Sequence, residues 1–383
     1  MAKVSPRTLS GFMELLPEQQ MKMERMMEIL RQSYSVYGFT PLDTPVIESA
    51  EVLLAKGGGE TEKQIYRFMK GESDLALRFD LTVPLAKYVA GHYGELTFPF
   101  RRYQIGKVYR GERAGDIMRT VDKLDKIGAE KVRQLLIDDV KMLPCKAENV
   151  LDFMAICGSN DEVIAALERY RGMDATFDQG LDELKTVTGY LAAFGVPAEN
   201  FAVDLTIARG LDYYTGTVYE TEMTEHPEIG SVCSGGRYDN LAEYYTDKQL
   251  PGVGISIGLT RLFYVLNEQG LLSDEIVTAP CDALVIPMTE DAGFAISAAT
   301  ALRAGGVRTQ LYGEKKKFKA KMSYADKLKV PFVVLVGEDE INEGVLSVKN
   351  MQTGEQVKLS PADAAEHIAA VIKERNSGAV IKE

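Results

Sequence analysis

Pro99–Arg113 reads PFRRYQIGKVYRGER. Phe100, Ile105, Val108 and Tyr109 are strand-forming residues, and apolar positions alternate with polar ones. That pattern predicts a strand over 99–110 that expects neighbours on both edges, with Gly111 opening a turn. Arg110 then stands at a strand end. Beyond this stretch the chain changes in kind. DIMRTVDKLDKIGAEKVRQLL from Asp116, NDEVIAALERYRG from Asn160 and LDELKTVTGYLAAFG from Leu181 are helical with polar exposed faces. Residues 116–197 therefore read as a helical insertion between two strand-bearing parts, 1–115 and 198–277.

Upstream of the quoted stretch, residues 17–37 form an amphipathic helix with Met23, Met26, Met27 and Leu30 at helical spacing and Gly38 as its stop. GFTPLDTPVIE (38–48) is extended, and Pro45 marks an edge or interface position because it has no N–H for a ladder. LALRFDLT (75–82) is a predicted strand ending in polar groups, with a helix over 83–90. Downstream, NFAVDLTI (200–207) and 216–224 carry strand signals, 234–236 reads as a glycine-rich turn, and GVGISIGLTRLFYVL runs from strand into helix. Residues 278–383 alternate strands (CDALVIPM, VRTQLY, PFVVLVG), helices and a hairpin around Thr353–Gly354, which indicates a small α/β domain with a largely parallel sheet. The chain is thus α/β (α+β) in class.

Composition bounds the function. The 383 residues carry 44 Lys plus Arg against 56 Asp plus Glu, a net charge of −12. A chain this acidic contacts nucleic acid only through a local patch. The run Lys315, Lys316, Lys317, Lys319 and Lys321, continued by Lys327 and Lys329, is that patch if one exists; the alternative is a solvated helix face. Four cysteines lack metal-ligand spacing and three histidines give no zinc site, so no metal site is read from the protein's own residues. There is no signal core and no run of 18 apolar residues, which predicts a soluble, cytoplasmic protein that does not meet a membrane. GVGISIG departs from G-x-G-x-x-G, and Gly57–Gly59 lack a following Gly-Lys-Ser/Thr, so neither is a dinucleotide or Walker phosphate loop. The arginines are more informative. Arg110, Arg209 (in TIARGLDYYTG) and Arg261 (in SIGLTR) each lie beside a glycine-containing turn, and guanidinium forks hold phosphate or carboxylate oxygens. Together they suit a polyanion.

These segments resemble histidyl-tRNA synthetase, a class II aminoacyl-tRNA synthetase. GFTPLDTPVIE is similar to motif 1 with its interface proline, FRRYQIGKVYRGER to the first half of motif 2, and LPGVGISIGLTRLF to motif 3. ARGLDYYTGTVYE is similar to the histidine signature of this family. The resemblance implies an antiparallel-sheet catalytic domain with a helical insertion and a C-terminal α/β anticodon-binding domain. It implies ATP as substrate with Mg2+, and L-histidine, tRNA(His) and a second copy of the chain as partners. By that resemblance Arg110 holds the α-phosphate, Glu112 lies by the adenine and Arg261 holds the γ-phosphate. Arg209 faces the α-phosphate and the histidine carboxylate. Asp80, Leu81 and Thr82 form the substrate segment that takes the α-amino group, and Tyr213 and Tyr214 line the histidine pocket. One departure stands out. GER is followed directly by AGDIMRTVDKLDKIG, which is similar to family sequence from well downstream, so the second half of motif 2 is absent between Arg113 and Asp116. A non-catalytic relative of the ATP phosphoribosyltransferase regulatory type, or a tRNA-binding protein living on the C-terminal domain, are the other readings.

Overall fold

The computed structural model describes residues 5–9, 11–55, 64–111, 128–139, 141–207, 213–272, 276 and 278–375. Glu112, the junction at 113–116, Arg209 and the glycines at 57–59 lie outside the described residues. The chain divides into two compact units, Gly38–Leu262 and Met1–Tyr37 together with Phe263–Glu383.

Helix α1 (Pro17–Val36) opens the chain and belongs to the second unit. In the first unit β1 (Thr40–Pro41) lies parallel to β5 (Arg102–Tyr103). β2 (Ile47–Ser49), β3 (Arg67–Lys70) and β4 (Ser73–Leu77) form an antiparallel sheet in the order β2-β4-β3. Helices α2 (Ala50–Leu53) and α3 (Thr82–Gly91) bury Ala50, Leu53, Val83 and Ala86 against Ala76, Phe79, Tyr213 and Leu241. A second antiparallel sheet runs β6 (Val218–Thr221), β7 (Cys233–Tyr238), β8 (Gly252–Ile257). Between them in the chain lie the helices α4 (Ala129–Asp138), α5 (Pro144–Met154), α6 (Asn160–Leu167) and α7 (Ala175–Ala193), with α8 (Leu259–Glu268) directly after β8.

The structure corrects three expectations in this unit. The strand expected over 99–110 is reduced to Arg102–Tyr103. Residues 104–111 form no ladder and are held by isolated bonds such as Tyr109 N–H to the Arg78 carbonyl (2.9 Å) and Gly111 N–H to the Gln64 carbonyl (2.7 Å). The strand expected at 200–207 is also absent. Asn160 takes the place of a neighbouring strand there: its amide nitrogen donates to the Phe201 carbonyl (3.1 Å) and its oxygen accepts from Val203 N–H (2.7 Å). One side chain that satisfies both backbone groups removes the need for a ladder. The glycine-rich turn expected at 234–236 is instead the middle of β7. A Cβ on Gly235 would fall 2.1 Å from the Gly254 carbonyl oxygen, and one on Gly236 would fall 2.8 Å from the Tyr214 ring. Those glycines permit close approach within a sheet, which composition alone reads as a turn.

The second unit keeps more closely to its pattern. β9 (Ala283–Pro287), β10 (Thr309–Leu311), β11 (Phe332–Val336), β12 (Leu346–Asn350) and β13 (Gln356–Leu359) make one sheet in the order β10-β9-β11-β12-β13. The first three are mutually parallel, and the β12–β13 hairpin joins antiparallel. Helices α9 (Gly293–Ala304) and α12 (Pro361–Arg375) cover one face, where Leu302 and Ile368 pack on Val285, Phe332 and Val334. Helix α10 (Phe318–Lys327) covers the other, where Ala325 meets Leu284, Ile286 and Val333. A short helix, α11 (Glu338–Glu343), is an element the sequence pattern did not announce, as is α5.

Candidate functional site

β4 ends at Leu77, and the chain then turns into α3 at Thr82. Asp80 makes that turn. One carboxylate oxygen accepts the Val83 N–H of the helix's first turn (3.0 Å), and the other accepts the Tyr213 hydroxyl (2.8 Å). A carboxylate at a helix start satisfies an otherwise orphaned donor and complements the helix dipole. Asp80 is only 5% exposed. Burial, the largest influence, pushes its carboxyl above the ordinary carboxylate range, against the opposing pull of the Val83 and Tyr213 hydrogen bonds and the Arg110 charge. Burial and then the Asp80 charge push the Tyr213 phenol upward, so it stays a donor.

The aromatic wall is built on that pair. Tyr214 meets the Tyr213 ring edge-on (5.2 Å, 69°), and Tyr238 does so from β7 (6.0 Å, 78°). Gly252 and Gly236 make room for the Tyr238 and Tyr214 rings. Arg110 donates from Nε to the Phe79 carbonyl (2.8 Å), one residue before Asp80, which brings its cation to the mouth of this corner. Leu81 contributes its backbone, since Arg102 donates from Nη2 to its carbonyl (3.0 Å). Arg102 is largely buried, and desolvation lowers its pKa against the charge-stabilising pull of Tyr238, Asp80 and Tyr213.

The structure therefore brings Asp80, Leu81, Thr82, Tyr213, Tyr214 and Arg110 together. Arg261 is placed differently: its guanidinium donates to the Ile229 carbonyl in the turn before β7. Arg102, Tyr238 and Arg78 escaped the sequence reading. Their signals were present as the first half of FRRYQ, the tyrosine of GGRYD and the arginine of LRFD, but nothing in the spacing says which side chains turn inward. Among the described residues no three His, Cys, Asp or Glu side chains converge as a metal cage.

In the second unit Lys315, Lys316, Lys317 and Lys319 are exposed at the start of α10. Lys321 is engaged, donating to the Pro287 carbonyl (2.6 Å), and Lys329 pairs with Glu18 of α1 (2.7 Å). A cavity of about 700 Å³ at the ends of β9 and β11 is lined by Glu290, Asp291, Glu338, Asp339 and Glu340. Its charge disfavours phosphate there.

Comparison with known proteins decides the family. A family described as "Histidyl-tRNA synthetase" matches residues 11–134 and 119–262. The histidine–tRNA ligase of Clostridium tetani is 44% identical over 428 residues, covering 94% of this chain and 97% of that protein. The chain belongs to the histidyl-tRNA synthetase family. An anticodon binding domain matches residues 282–371, the α/β part of the second unit. The crystal structure of histidyl-tRNA synthetase from Nostoc sp. PCC 7120 superposes with a TM-score of 0.82 at 34% identity, covering 96% of this chain and all of the other. The histidyl-tRNA synthetase fold extends further: an ATP phosphoribosyltransferase regulatory subunit/histidyl-tRNA synthetase from Bacillus halodurans C shares it at a TM-score of 0.65 and 19% identity, over 88% of this chain and 99% of that one.

Proposed function

We propose that the chain carries a histidine–tRNA ligase site, which activates histidine with ATP and transfers it to tRNA(His), and that the site is incomplete on its ATP side. The buried Asp80–Tyr213 pair beside Arg110 is the observation that carries this reading. A carboxylate held between a helix start and a phenol is a receptor for an ammonium group, so Asp80, with Thr82 beside it, takes the α-amino group of histidine. Tyr213 and Tyr214 wall the imidazole. Arg110 and Arg209 take the α-phosphate of ATP, Arg209 also faces the histidine carboxylate, Glu112 lies by the adenine, and Arg261 takes the γ-phosphate once released from the Ile229 carbonyl.

In the reaction a histidine carboxylate oxygen forms a bond to the α-phosphorus. The bond from that phosphorus to its bridging oxygen breaks, and pyrophosphate leaves with the electron pair. No protein nucleophile is needed. The residues bring two anions together and offset their charge, so positioning and electrostatics supply the rate. Magnesium would arrive on the ATP phosphates and offset their charge.

Support for a missing segment comes from two directions. The alignment with the Clostridium tetani protein runs over 428 residues, more than the 383 of this chain, and the family match falls in two pieces that meet at 119–134. The short β5 and the bonds that hold 104–111 without a ladder agree with a strand that has lost its hairpin partner. The domains are accordingly two catalytic parts, 1–115 and 198–277, an insertion at 116–197, and an anticodon-binding domain at 278–383. The match at 282–371 favours a ligase over a regulator. Lys315–Lys319 contact tRNA phosphates. The exposed Pro45–Val46–Ile47 segment supports a homodimer, and no helix among the described residues is long and apolar enough to cross a membrane. We place the protein in the cytoplasm.

Calorimetric titration with histidine tests the site. Weak binding that is lost in Asp80→Ala is expected, and unchanged binding in that variant rejects the assignment. Light scattering at micromolar concentration tests the dimer, and a clean monomer rejects it.

A further inference from the structure

Arg78 is 2% exposed, and its backbone and side chain touch two separate segments, 43–46 and 107–109. Its N–H donates to the Val46 carbonyl and its carbonyl accepts the Tyr109 N–H, both at 2.9 Å. Its Nε donates to the Lys107 carbonyl (2.9 Å), and its Nη1 donates to the Thr44 carbonyl (2.5 Å) and approaches the Thr44 hydroxyl (3.3 Å). The nearest carboxylate, Asp43, is 3.5 Å away on a side chain 83% exposed. An ion pair with so exposed a partner is too weak to account for burying this charge. The backbone carbonyls at 44 and 107 are what the guanidinium holds.

We propose that Arg78 is a positioning residue that sets the place of Arg110, clamping the 107–110 segment to the end of β4 where a strand ladder is missing. The inference rests on the role proposed above for Arg110. Three consecutive links join the two segments: Arg78 Nε to Lys107, Tyr109 N–H to Arg78, and Arg110 Nε to Phe79. Two of the three use an arginine side chain in place of a backbone partner. Gly106 is the complement of this clamp. A Cβ there would fall 2.5 Å from Arg78 Nη2 and 3.3 Å from its Cζ. The backbone of Gly106 lies outside the left-handed region, so alanine is excluded only by the guanidinium.

That geometry gives a test with a built-in rescue. Arg78→Lys keeps the charge but cannot reach both carbonyls, and it removes the atom that opposes a Cβ at 106. Hydrogen exchange at the Tyr109 amide and ATP titration are measured on the full chain for Arg78→Lys, Gly106→Ala and the double variant. Each single variant should speed Tyr109 exchange and weaken ATP binding, each by about tenfold, since a small displacement of a positioned group is costly. The double variant should be no worse than Arg78→Lys alone, because the clash that Gly106→Ala creates has gone. Histidine titration on the same variants separates positioning from structure, since a merely structural role weakens histidine binding as much as ATP binding. Additive losses, or Tyr109 exchange unchanged in both single variants, overturn the proposal. If the unmodified chain takes no ATP, as an incomplete ATP side allows, the exchange measurement still decides the clamp.

Discussion

The sheet of the C-terminal unit and the segment 99–111 hold their chains in opposite ways. β9 and β11 have backbone partners on both edges and bury Ala283–Ile286 and Phe332–Val334. Residues 104–111 have no continuous ladder and are fastened by Arg78, Arg110 and single backbone bonds. The first arrangement is generic, since any apolar strand of the right length would serve. The second depends on named side chains and on a glycine without a Cβ. Stability in the first region is spread over many contacts, whereas geometry in the second rests on a few, and the second region is the one that carries the candidate chemistry.

Breaking the first region should need a core deletion. Phe332→Ala, at a site 1% exposed, should cost about 3–5 kcal/mol of stability, read by urea unfolding. It should leave histidine binding by the first unit intact where the chain stays folded. Breaking the Asp80 corner that borders the second region takes less. Tyr213→Phe removes one hydrogen bond to a buried carboxylate and should cost about 1.5–3 kcal/mol, with a matching loss of histidine affinity.

The same carboxylate gives a pH signature. The folded-state pKa of Asp80 lies above its ordinary 3.8, so the folded chain holds this proton more tightly than the unfolded chain does. Its contribution to stability is therefore greatest below 3.8 and falls as pH rises through the folded value. Asp80→Asn, neutral throughout, should remove that decline from the stability–pH profile, and an unaltered profile would show that Asp80 is not the group responsible. The smallest effects belong to the surface. Replacing Lys315, Lys316, Lys317 and Lys319 should weaken tRNA binding and flatten its salt dependence, by about 0.7–0.9 in slope for each phosphate contact removed. An unchanged slope returns that helix to a solvated face.

Legibility divided along the same line. The α/β order of residues 278–383 could be read from buried runs such as ALVI and FVVLV, because continuous apolar strands separated by helices admit few arrangements. The Asp80–Tyr213 corner was legible through DYYTG and LRFDLT only by resemblance. Spacing does not bring Asp80 and Tyr213 together across 133 positions; the Ala50, Phe79 and Leu241 core does. Strand 99–110 and NFAVDLTI misled for one reason. Both have strand composition, but a strand also needs a neighbour, and here Asn160 or an arginine supplies the bonds instead. Gly235 and Gly236 misled in reverse, as turn residues serving a packed strand.

Histidine-dependent exchange of pyrophosphate into ATP decides whether the site is complete on its ATP side. It is measured on the chain as it stands and on a version with the second half of motif 2 restored between Arg113 and Ala114 from a relative such as the Clostridium tetani ligase. Slow or absent exchange is expected for the first and robust exchange for the second. Robust exchange by the unaltered chain would show that residues 104–111, held as they are by Arg78, already make a working ATP site.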